Sequence, residues 1–211
     1  MKIYGNDLGL DSIGLYNLKN VHRNLSVSEL VDDIVNNKEG LIGLRGAAMV
    51  DTGIYTGRSP QDKYIVDEPS SNEKLWWGPV NKKISEDIFD MLYEKITDYY
   101  NSTDHTKTYV FDGFAGADPN YSLNVRIIAK KAWQAHFVNN MFIRPKNGEL
   151  DEFKPGFTII NASDVSNERF DEFGMNSETF IIFHMEKRIA IIGGTEYGGE
   201  MKTGIFSVLH Y

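Results

Sequence analysis

Apolar positions along the chain fall into two periods, and each change of period marks an element. After Ser26, Leu30, Val31, Ile34 and Val35 recur at helical spacing, which predicts an amphipathic helix. Ser26 and Glu29 form the pattern of a capping box at its start, with Ser26 as N-cap and Glu29 at N3, and Gly40 closes the region. A second helical face, Ile88, Phe89, Leu92 and Ile96, follows Ser85-Glu86-Asp87, and AKKAWQAHFVNNMF (129–142) reads as a third helix. Between them lie short apolar runs. LIGLRGAAMVDTG (41–53) reads as a strand pair broken by glycines, and KYIV (63–66), 107–114, 157–161, 179–184 and 188–192 read as strands. Leu123, Val125 and Ile127 alternate, which predicts a half-buried strand. Residues 69–72 and 116–120 carry the Pro, Ser, Asn and Gly of a loop and a turn. Short strands alternating with two or three helices predict an α/β fold, a mixed β-sheet flanked by helices. No repeat or linker interrupts residues 1–211, so a single domain is expected.

Composition narrows the function. The net charge is −8, which disfavours broad binding to nucleic acid but leaves room for a small anion in a locally basic cleft. The absence of cysteine removes disulfides, thiolate metal sites and cysteine nucleophiles. The start, MKIYGNDLGLDSIGLYNL, has no apolar signal region and no run is long enough to span a bilayer, so a cytoplasmic protein with no membrane partner is expected. The five histidines, His22, His105, His136, His184 and His210, never fall four apart, so histidine pairs do not suggest a metal site. His136, within an apolar helical stretch, reads as a packed histidine with a hydrogen-bond partner.

Two glycine-rich stretches carry candidate chemistry. DTGIYTGRSPQDKYIV (51–66) holds Arg58 between Gly57 and Pro60. An exposed turn arginine most often forms a weak surface ion pair. A glycine–proline frame instead favours a pre-positioned fork for carboxylate or phosphate, because less entropy is lost on binding. In GGTEYGGEMKTGIF (193–206), five glycines flank Tyr197, Glu200 and Lys202. That density permits close approach of backbone N–H groups to a ligand, and it equally suits the end of a hairpin. Lys202-Thr203 is not part of a phosphate-binding G-x-x-x-x-G-K-[ST] loop, because Glu196 and Met201 stand where glycines are required.

These two stretches, with WWGPVNKKIS and WQAHFVNNMFIRP between them, occur in one order and together closely resemble the N-terminal part of the ATP-dependent phosphoenolpyruvate carboxykinases, from about residue 40 to Tyr211. The resemblance implies an enzyme that converts oxaloacetate and ATP to phosphoenolpyruvate, CO2 and ADP, with Mg²⁺ and Mn²⁺. It implies that Arg58 grips a substrate carboxylate, that Tyr197 lies beside the substrate, and that Lys202 is a catalytic cation. It also implies that the nucleotide-binding C-terminal domain lies outside this chain, so that the chain alone is inactive and holds no cofactor tightly. Trp76, Trp77 and residues 139–145 match the family too and are read as packing. One departure stands out: Thr203 occupies the position of the family's second lysine, a metal ligand. A related fold that binds a dicarboxylate or a partner without turnover is the alternative this departure supports.

Overall fold

The computed structural model describes residues 2–3, 5–102 and 107–209; His105 and His210 lie outside them. Nine strands form one mixed sheet in the order β1 (Lys2–Ile3), β2 (Val21–Arg23), β7 (Thr108–Ala115), β8 (Leu123–Ala129), β9 (Phe157–Ala162), β11 (Ile189–Gly193), β10 (Phe180–His184), β5 (Lys63–Val66) and β6 (Lys82–Ile84). A separate hairpin pairs β3 (Gly40–Ile42) with β4 (Ala48–Val50). The β1–β2, β7–β8 and β10–β11 pairs are antiparallel and the other neighbours in the large sheet are parallel.

Helices cover both faces of the sheet. On one, α2 (Glu86–Asn101) packs Phe89, Leu92, Ile96 and Tyr100 onto Val110, Ile128, Ile160, Ile182 and Ile191. On the other, α3 (Ala132–Met141) and α4 (Gly199–Val208) bring Val138, Met201 and Ile205 onto Phe111, Ile127, Ile159, Phe183 and Ile192. Adjacent residues of a strand point to opposite faces, so a strand between two helical layers is apolar at every position. The buried run Ile189–Gly193 is of this kind. The last helix, α1 (Val27–Asn36), lies against α3 through Leu30 and Ile34. It starts at the expected capping box: the Ser26 hydroxyl accepts from Glu29 N, and the Glu29 carboxylate accepts from Ser26 N at 2.9 Å.

Four expectations need correction. The strand β8 is not half-buried. Its polar-face residue Arg126 is buried too, because it donates from Nε and Nη2 to the Asp112 carboxylate of β7, which Arg23 also binds. The third helix starts at Ala132, since residue 129 still belongs to β8. Trp77 does pack, donating from Nε1 to Asn72 Oδ1 at 2.8 Å, but Trp76 is exposed, with its ring over Gly78. Within 139–145, Asn139 is buried while Met141 and Ile143 are largely open to solvent. His136 is half-buried, with Nδ1 3.5 Å from Asn140 Nδ2.

Candidate functional site

At one end of the sheet the strand directions bring together the start of β5, the start of β10 and the end of β11. The loop that holds Arg58 leads into β5, and the glycine-rich segment leaves β11, so segments about 140 residues apart in sequence meet there. Their junction is hydrogen-bonded. Ser59 N donates to Glu200 Oε1 at 2.6 Å. The Thr179 hydroxyl lies 2.7 Å from the Tyr55 hydroxyl and donates to the Gly194 carbonyl at 2.9 Å. The buried Asp62 carboxylate accepts from the Ser59 hydroxyl, from Asn176 Nδ2 at 2.9 Å and from the Ser177 hydroxyl at 2.8 Å. Such a web fixes both loops, in which Pro60–Asp62 forms one short 3-10 turn.

The glycine-rich segment is not a hairpin end. Gly194, at φ 71°, turns the chain off β11, and α4 begins five residues later. Gly199 is required because Tyr197 folds back over it. A Cβ there would lie 2.4 Å from Tyr197 Cε1. The helix buries Met201, Gly204 and Ile205 against the sheet. Glu200, Thr203 and Ser207, at i, i+3 and i+7, share a neighbouring side. That side meets the Arg58 segment at two points: Glu200 accepts from Ser59 N, and Ser207 Oγ lies 3.3 Å from the Lys63 ammonium. Thr203, half-buried, stands between these points.

The other expected residues sit at the same end, and among the described residues their polar side-chain groups have no hydrogen-bond partner. Arg58 and Lys202 are exposed and Tyr197 is half-buried. Among the described residues, no hydrogen bond or ion pair joins the side chains of Arg58, Tyr197, Lys202 and Thr203 to one another. Sequence reasoning missed Lys63 and Glu200. Their pattern relative to Ser207 becomes legible only once residues 199–208 are known to be helical. Burial holds the Lys63 ammonium below its ordinary range, helped by Arg58 and opposed by Glu200. Burial likewise pushes the Glu200 carboxyl up, against the Ser59 amide and the charge of Arg58.

Among the described residues no group of three or more His, Asp or Glu could hold a metal ion, and Thr203 offers a single hydroxyl. These residues by themselves do not build a metal centre. No described helix is long and apolar enough to cross a membrane.

A family model described as phosphoenolpyruvate carboxykinase matches residues 19–211. The chain belongs to the ATP-dependent phosphoenolpyruvate carboxykinase family. The match begins some twenty residues before residue 40, where the resemblance in the sequence starts, and so takes in β2 and α1 as well. The chain is 53% identical over 211 residues to the phosphoenolpyruvate carboxykinase (ATP) of Leptospira biflexa, covering 100% of this chain and 39% of that protein. It is 48% identical over 202 residues to that of Sulfurimonas denitrificans, covering 96% and 38%. It is 48% identical over 192 residues to that of Geobacillus kaustophilus, covering 90% and 36%. The chain thus spans about two-fifths of the length of these relatives.

Proposed function

We propose that this chain is the substrate-side domain of a cytoplasmic ATP-dependent phosphoenolpyruvate carboxykinase. In that role it holds the organic acid while oxaloacetate and ATP are converted to phosphoenolpyruvate, CO2 and ADP. The observation that carries the reading is the bond from Ser59 N to Glu200 Oε1, which ties the arginine loop to the helix that begins just after Tyr197. It supports a common anion site for two segments that the sequence keeps far apart.

In this reading Arg58 binds a carboxylate of oxaloacetate or phosphoenolpyruvate through its planar fork, and its lack of an internal partner leaves all its donors available. The Tyr197 hydroxyl donates a hydrogen bond beside it. Lys202 supplies positive potential where decarboxylation leaves an enolate. ATP with Mg²⁺ and Mn²⁺, when bound in the whole enzyme, supplies the phosphoryl group and screens its charge. The partner for that half of the reaction is a C-terminal nucleotide-binding domain, and the chain alone is expected to bind the acid without turning it over. A second reading, dicarboxylate binding without catalysis in any context, is favoured by Thr203, which brings neither the charge nor the amine of a lysine.

The test is calorimetric titration of oxaloacetate into the chain and its Arg58→Gln variant. Loss of one charge-assisted pair is expected to weaken binding by about ten- to a hundredfold. Equal affinity for the two proteins would remove Arg58 from the site and the reading with it.

A further inference from the structure

Lys63 is a cation placed where folding alone gains little from it. Its side chain is partly buried at the start of β5. Its ammonium has two hydrogen-bond acceptors, Asn81 Oδ1 at 3.2 Å and Ser207 Oγ at 3.3 Å, and both are neutral. The Phe183 ring lies beneath it, with the centroid 5.6 Å away. No carboxylate forms an ion pair with it among the described residues. Glu200 is the acidic group whose charge reaches it, and that carboxylate is already committed to Ser59 N. Arg58, five residues before it, adds a repulsive charge. A buried cation is ordinarily paired with an anion, since loss of hydration is otherwise uncompensated. Glu200 feels both cations, Arg58 and Lys63, together with the like charge of Asp62, whose carboxylate is taken up by Ser59, Asn176 and Ser177.

From this placement we infer that Lys63 is a second cation of the anion site. It acts as a positioning residue that raises the local positive potential and, by repulsion, directs the Arg58 guanidinium outward to the ligand. The inference rests on the proposed organic-acid site. It extends that site to a residue held on the same side of α4 as Thr203, where the fixed ammonium supplies charge that the threonine lacks. Asn81 and Ser207 hold the ammonium in place without neutralising it, as a ligand-directed cation requires.

A structural lysine and a ligand-directed one respond oppositely to loss of charge. In Lys63→Met the apolar stem is kept and the ammonium removed. The experiment measures the affinity of the 211-residue chain for oxalate, the salt dependence of that affinity, and the thermal midpoint without ligand, for the wild type, Lys63→Met, Lys63→Arg and Arg58→Gln. Lys63→Met is expected to weaken oxalate binding by about three- to tenfold, as for loss of one charge acting across a few ångströms of partly screened space. It should flatten the salt dependence and leave the free protein as stable as before or more so. Lys63→Arg should restore much of the affinity. Unchanged affinity in Lys63→Met, with Arg58→Gln weakened, would overturn the role of Lys63 and leave the organic-acid site standing. A lower thermal midpoint with unchanged affinity would make Lys63 structural. No effect of Arg58→Gln, or no binding by the wild type, would overturn both.

Discussion

At the scale of single residues, the site is recognised by charges that the fold does not neutralise. Among the described residues, Arg58 and Lys202 are exposed and form no ion pair, the hydrogen-bond acceptors of Lys63 are neutral, and Glu200 is buried. Arg58 was legible from the sequence because glycine and proline frame it. Glu200 was visible only as a member of the glycine-rich stretch and Lys63 only as the start of a strand, because the contacts that tie them to the site are tertiary. The raised Glu200 carboxyl has a consequence for stability. The unfolded chain gives up this proton near the ordinary value of 4.5, while the folded chain gives it up only at higher pH. Between the two values the unfolded state binds fewer protons, so stability falls as pH rises through that interval. Glu200→Gln keeps an oxygen for Ser59 N but removes the charge. It is expected to raise the thermal midpoint at pH 7, with the gain shrinking as the pH falls through that interval and gone below about 4.5, where the wild-type carboxyl is neutral in both states. A variant that melts lower than the wild type at pH 7 would show that the charge is needed to hold the Arg58 loop. At position 203, Thr203→Lys puts a cation between Glu200 and Ser207, and should strengthen oxalate binding by about three- to tenfold in a titration. Unchanged affinity would mean that this position does not face the ligand.

At the scale of elements, α4 separates what the sequence could tell from what it could not. The helix α1 was readable because its capping box is local, and the expected boundaries of β5 coincide with Lys63–Val66. Removing the Ser26 hydroxyl in Ser26→Ala should cost about 1 kcal/mol in chemical denaturation, and a loss near zero would show that the cap is dispensable. The helix α4 was missed because Gly199 and Gly204 lie within it and more glycines precede it, and glycines in a helix interior are unfavourable. Its stability comes instead from burying Met201, Gly204 and Ile205 on the sheet, a tertiary gain that no local propensity displays. The buried Arg126 of β8 escaped prediction for a similar reason: its partner Asp112 lies on the neighbouring strand. Gly199→Ala tests the start of α4. The added methyl runs into the Tyr197 ring, and overpacking of this kind typically costs about 1–3 kcal/mol. Weaker oxaloacetate binding should accompany the lower stability, because the ring must move. Full affinity in a folded variant would take Tyr197 out of the site.

At the scale of the whole molecule, the sheet sets two ends apart. One gathers the Arg58 loop, the Gly194 turn and the start of α4. The other holds a groove of about 630 Å³ between Ser70, Tyr121, Arg188 and Leu209, and none of the expected site residues lines it. Cavity size alone would therefore favour the wrong end for the chemistry argued here, because large apolar clefts are the usual binding sites. The proposed site is instead an open surface on which Arg58 and Lys202 are exposed. The most direct test of this assignment is amide chemical-shift mapping of the chain titrated with oxalate, a planar dianion that resembles the enolate of pyruvate. Residues 55–63 and 194–203 are expected to shift together along one binding curve, while the residues around the groove stay still. Shifts centred on Ser70, Tyr121 and Arg188, or a spectrum unchanged at saturating oxalate, would contradict the placement of the organic-acid site at the Arg58 end of the sheet.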